Sequence, residues 1–83
     1  MSYKDEKDRV WDKARKVRGK NPNLYRRDSK GNEIYKPSYG KNSEKGWEID
    51  HIKPRSKGGS DNIRNLQALQ TQANRRKGNK YKK

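Results

Sequence analysis

The sequence predicts an α+β fold, built from an N-terminal helix, a β-hairpin and a later strand followed by a short basic helix. Three observations carry this. Val10, Trp11, Ala14 and Val17 recur at helical spacing and form one narrow apolar stripe among charges. The turn residues Asp28-Ser29-Lys30-Gly31 separate two short runs. Alternation through Trp47-Glu48-Ile49-Asp50-His51 puts Trp47 and Ile49 on one face of a strand, Glu48 and Asp50 on the other.

Residues 3–18 read as the helix, within an N-terminal segment 1–20. Ser2 with Asp5 three residues later has the form of a capping box, and Gly19 followed by Asn21-Pro22 stops the helix. Residues 24–27 and 32–35 flank the turn as hairpin strands. With the loop at 36–46 they make up a segment 21–46. After the strand comes a Gly- and Ser-rich loop over 53–62, in which Gly58-Gly59 serves a tight turn. From Ile63 the pattern fits two structures. Ile63, Leu66 and Leu69 suit a helix, while residues 66–69 also suit a short strand. Thr71 stands as the N-cap of a short basic helix closed by Gly78, and residues 79–83 form a frayed basic tail.

Eighty-three residues allow one domain, and with only 24% apolar residues its core is thin. The absence of cysteine excludes disulfides and thiolate zinc sites, and one histidine cannot build a zinc cage. Stability must come from packing around Trp11 and Trp47, from oligomerisation or from a bound polyanion. The net charge of +14 points to a phosphate backbone or an anionic membrane. No apolar run is long enough to span a bilayer, no signal-peptide core opens the chain, and no large apolar helix face suits a membrane surface. Nucleic acid is the expected partner, with no membrane involved and a cytoplasmic location.

His51 is the only histidine, and it stands beside Asp50 at the end of a strand. A lone histidine is ordinarily a surface or packing residue. Its acidic neighbour, the strand end and two spaced asparagines reverse that reading here. Thirteen residues separate His51 from Asn65, and eight separate Asn65 from Asn74. Asp50-His51-Ile52-Lys53-Pro54, then Gly58-Gly59, then Asn65-Leu66-Gln67, then Asn74-Arg75-Arg76-Lys77-Gly78 resembles the HNH endonuclease motif. The resemblance covers residues 47–78.

The resemblance implies a ββα-metal core of strand, long loop, strand and crossing helix, which puts a strand at residues 66–69. It implies that His51 is the general base and that Asp50 and Asn74 hold one divalent cation. Asn65 joins the catalytic set as a support, its amide bonding backbone to keep the loop and His51 in register. Residue chemistry agrees: an unperturbed imidazole titrates near pH ~6.5, close to the ideal for a base. One carboxylate and one amide oxygen favour magnesium, or manganese, over zinc. In a regular strand Asp50 and His51 point to opposite faces, so a shared site requires the backbone to bend there.

Two departures from the family stand out. Asn74 replaces a histidine, giving an H-N-N version. Gln70 and Ala73 stand where relatives carry a CxxC pair, so no structural zinc is expected. Lys53, Arg55, Arg75, Arg76, Lys77 and Lys80 are the expected DNA contacts, because no acid follows Asp61 to pair with the last four. Arg26 and Arg27 suit solvent and DNA equally. The expected function is metal-dependent hydrolysis of DNA phosphodiester bonds with weak sequence specificity. One site nicks one strand, so a double-strand break needs a homodimer or two encounters. The bland alternative is a small basic nucleic-acid-binding protein without catalysis, to which charge and size alone would point. Asp50 argues against it, since a pure phosphate binder gains nothing from an acid there.

Overall fold

Trp11 and Trp47, far apart in sequence, meet at the centre of the molecule with ring centroids 5.1 Å apart. Tyr39 packs edge-on against Trp47 at 4.8 Å. Each indole N–H reaches a carbonyl, Trp11 Nε1 donating to Pro22 O (2.9 Å) and Trp47 Nε1 to Lys36 O (3.1 Å). Both rings can therefore be buried without an orphaned donor. In this computed structural model residues 3–77 are described, with side chains from Glu6 onward. Val10, Ile34, Leu66 and Ala68 complete the core cluster, and Leu69 and Ala73 are also buried.

The architecture is α+β, with an N-terminal helix, two small antiparallel sheets and a C-terminal helix. The first helix, α1 (Tyr3–Lys13), buries Val10 and Trp11. It is shorter than the periodicity predicts. The reason is Arg26, whose guanidinium takes the carbonyls of Asp12 (3.1 Å) and Ala14 (3.0 Å) together with that of Pro22 (2.9 Å). The chain then runs extended as β1 (Arg15–Lys16), which pairs with β2 (Tyr25–Arg27). The expected capping box lies outside the described residues, because Ser2 does.

The hairpin forms between β2 and β3 (Glu33–Tyr35), giving a three-stranded sheet of order β1-β2-β3. Asp28 fixes its turn. One carboxylate oxygen accepts from the Lys30 and Asn32 amides, the other from the Asn32 side chain and from Gln70 N. The last of these bonds ties the hairpin to the second sheet. That sheet joins β4 (Trp47–His51) to β5 (Leu66–Gln70) in a register running from Trp47↔Gln70 to His51↔Leu66. The segment that fitted either helix or strand is thus a 3-10 turn (Ile63–Asn65) followed by strand. Lys13 secures this turn from below, its ammonium donating to Ile63 O (2.6 Å) and to Leu66 O. Helix α2 (Thr71–Lys77) follows β5 directly and lies against both strands. Thr71 does not cap it by side chain: its buried hydroxyl has no hydrogen-bond partner among the described residues, while its amide donates to Gly46 O. The expected closure at Gly78 and the basic tail 79–83 fall outside the described residues.

Candidate active site

Two periodicities build the site. Alternation along β4 turns Glu48 and Asp50 to one face, and α2 presents Asn74 and Lys77 one turn apart to that face. The result is two ladders. Asn74 Nδ2 donates to Glu48 Oε1 at 2.9 Å, with Arg75 reaching Glu48 Oε2 at 3.4 Å. Lys77 Nζ donates to Asp50 Oδ2 at 2.7 Å and to His51 O at 3.2 Å. Gln67, opposite Asp50 in the register, adds a hydrogen bond of 2.9 Å to the same Oδ2. Asp50 is 8% exposed, so these partners are what allow a carboxylate to sit there.

His51 follows on the strand. Its Nε2 lies 2.7 Å from Asp61 Oδ1, and Arg55 stands 3.8 Å from that oxygen. The His51 hydrogen bond, with the nearby Arg55 charge, holds the Asp61 carboxyl below the usual carboxylate range. Contrary to the bend expected of a shared site, the strand runs straight through Asp50 and His51, since pairing continues to His51↔Leu66. The chain leaves the sheet only at Ile52, and the turn at Arg55–Lys57 folds back beside the strand end. Asp50, His51, Arg55, Asn74 and Lys77 therefore border one open groove of about 320 Å³.

The loop returning to β5 is pinned at several points. Asn65 Oδ1 accepts from Lys53 N (2.8 Å), and its Nδ2 donates to Lys53 O (3.1 Å) and Ser60 O (2.7 Å). Gly58 adopts φ +88°, where its amide bonds Arg55 O. At Gly59 a Cβ would lie 1.8 Å from Lys53 O, so no side chain fits without moving backbone. This loop carries Asp61 to His51.

Among the basic residues expected on DNA, Lys53, Arg55, Arg75 and Arg76 are exposed. Arg75, though exposed, and Lys77 also meet the acids of β4 from the facing helix rather than from downstream sequence. Lys77 is mostly buried, its side chain 14% exposed. Lys80 lies outside the described residues. Glu48, Gln67 and Asp61 were missed by sequence reasoning. Alternation did put Glu48 beside Asp50, but nothing local marks Asp61 as the partner of a histidine ten residues earlier.

The donor set suits a hard cation. Asp50 already holds a positive charge in the Lys77 ammonium, and with Asn74 Nδ2 engaged by Glu48 the amide oxygen is the end left to coordinate. Among the described residues no group of three or more His, Cys, Asp or Glu could hold a metal, so any ion bound here keeps water or substrate oxygens in its shell. Nor is any described helix long and apolar enough to cross a membrane. A family model described as HNH endonuclease matches residues 38–80, which span β4, the pinned loop, β5 and α2. No curated protein and no solved structure matches the chain.

Proposed function

Because this chain belongs to the HNH endonuclease family, we propose that residues 1–83 form one domain that hydrolyses DNA phosphodiester bonds with the help of a divalent cation. The observation that carries the reading is the meeting of Asp50, His51 and Asn74 on one groove within the matched segment. On this reading β4, β5 and α2 are a ββα-metal core. His51 is the general base. With Nε2 held by Asp61, Nδ1 takes the proton of the attacking water, and the imidazolium that forms is stabilised by the Asp61 carboxylate. Asp61 is thus a positioning residue, and Asn65 supports it by holding the loop path.

Asp50 and the Asn74 amide oxygen are the ligands for the cation, magnesium by preference with manganese as a substitute. Bound there, the cation supplies Lewis-acid stabilisation of the departing oxygen. Glu48 orients Asn74. A cation held by Asp50 would compete with Lys77 for this carboxylate, and the Lys77 ammonium would then be free to serve a phosphate, alongside Lys53, Arg55, Arg75, Arg76 and Lys80. With only backbone-seeking cations around the groove, sequence specificity is weak. One groove per chain nicks one strand, and a double-strand break follows from a homodimer. The location we assign is the cytoplasm.

The test is supercoiled plasmid incubated with magnesium, manganese or EDTA. Wild-type protein should convert it to open circles only with a cation, and His51→Ala should not. Cutting by His51→Ala at the wild-type rate would overturn the assignment of the base. A second reading rests on the Lys77–Asp50 ion pair, which fills the cation's place with the protein's own charge. Plasmid bound but uncut under every condition would favour that reading, a basic binding module without catalysis.

A further inference from the structure

A second groove, of about 260 Å³, lies between the first sheet and the β4–β5 pair, walled by Lys13, Arg15, Arg27, Asp28, Ile52 and Gln67. Arg15 and Arg27 are direct cross-strand partners, so both side chains stand on the same face of adjacent strands. Like charges in that arrangement repel, and the usual remedy is an acid in the same row. The row does continue to Glu33, opposite Arg27. That carboxylate is taken, however, by Lys20 at 2.6 Å and Lys45 at 3.3 Å. Asp28, the one acid in the groove wall, has both oxygens occupied by four N–H donors of the turn and β5.

The neighbouring row shows the contrast. Arg26, paired with Lys16, is buried and spends its guanidinium on three carbonyls. Among the described residues Arg27 donates to Gly31 O, and Arg15 is exposed. Two arginines on one face of adjacent strands, both lining this groove, offer guanidinium donors that match the oxygens of a phosphate. Ile52, 41% exposed in the same groove, directly follows His51. The groove thus begins one residue from the proposed base and continues its basic surface.

We propose that the Arg15–Arg27 groove binds a backbone phosphate of the DNA strand flanking the cleavage position, which makes the segment before the nuclease motif a substrate-positioning element. The occupant is taken to be DNA because the groove adjoins the proposed catalytic groove, and in this respect the proposal rests on the nuclease reading. Binding supplies the cancellation of charge that the folded protein lacks.

The test measures anisotropy of a fluorescein-labelled duplex in EDTA over a series of salt concentrations. Arg15→Gln/Arg27→Gln is compared with Lys16→Gln/Lys41→Gln, which removes the same charge elsewhere. The groove variant should lower the slope of log K against log salt by about 1, since the one lost phosphate contact removes about 0.9. The control variant should lower it by less than half as much. Equal changes in both would overturn the proposal, as would saturable binding of inorganic phosphate at the groove with duplex affinity unaffected by its variant. Without DNA, Arg15→Gln should melt at or above the wild-type temperature, because it relieves repulsion; a lower melting temperature would count against the unneutralised pair. Binding in EDTA is independent of cleavage. Failure of the plasmid assay therefore sinks the catalytic reading alone, and equal slopes with intact cleavage sink the groove alone.

Discussion

Lys77 holds the most consequential position among the single residues. Its ammonium is 2.7 Å from Asp50, with both side chains largely buried, so the pair is sheltered from solvent on the wall of an otherwise open groove. Replacing Lys77 by Met leaves Asp50 with only the Gln67 amide, and breaking a buried pair in this way is costly. In EDTA Lys77→Met should lose roughly 2 kcal/mol of stability, below the range for a fully enclosed pair because the groove admits water. In manganese that loss should be recovered, and calorimetry should show the ion bound about tenfold more tightly, equivalent to about 1.4 kcal/mol. Unchanged or weaker manganese binding would mean that lysine and metal do not share a place. Asp61 offers the complementary case. Asp61→Asn keeps a hydrogen-bonding group near His51 but removes the charge that balances an imidazolium. The turnover rate should fall roughly tenfold, the low end for losing a supporting partner of a functional side chain. Duplex affinity should not fall, because an acid has been removed from a basic surface. A rate unchanged under saturating DNA would relieve Asp61 of any part.

Among the elements, the loop between β4 and β5 decides whether Asp61 reaches His51. Its two glycines serve different ends. Gly58 needs only its left-handed backbone, so Gly58→Ala costs about 1–2 kcal/mol and leaves the path intact. Gly59 is pressed against Lys53 O, and Gly59→Ala must displace the strand exit itself. It should cost about 1–3 kcal/mol and lower the nicking rate further than Gly58→Ala does. Urea denaturation and plasmid nicking on the two variants check this, and equal rates would show that the loop path is unimportant to the site. The elements also show what a sequence can disclose. β4 was legible because alternation is written in five consecutive residues. The end of α1 at Lys13 was not, because the groups that capture its last carbonyls belong to Arg26, thirteen residues further on. The split between helix and strand after Ile63 was open for a related reason. Short apolar runs fit both periods, and it is pairing with β4 that selects the strand. The site divides the same way: Asp50, His51, Asn65 and Asn74 stood out by type and spacing, whereas Glu48, Gln67 and Asp61 gain their parts only through partners brought in by folding.

For the molecule as a whole, charge and stability pull against each other. A net charge of +14 on 83 residues repels itself in the compact state, and the core that resists it is small. Several cations are neutralised internally, at Glu33, Glu48, Asp50 and, by Arg55, at Asp61. Among the described residues, the Arg15–Arg27 row and the exposed Lys53 and Arg76 are not matched by acids in that manner. The excess is spread over both sides of the β4 strand end, so a polyanion lying there relieves repulsion in the folded chain. The unfolded chain, with its charges farther apart, has less repulsion to relieve. Binding and folding are then linked by mass action. With duplex present at about a hundred times its dissociation constant, the folded state gains about 2.7 kcal/mol. For a domain of this size that corresponds to a rise in melting temperature of roughly 10–20 °C. Scanning calorimetry in EDTA, with and without duplex, measures the shift free of cleavage. The rise should shrink as salt is added, in step with the loss of phosphate contacts. A melting temperature unmoved by saturating duplex would mean that the unfolded chain binds DNA as well as the folded one does, and that the basic surface owes nothing to the fold.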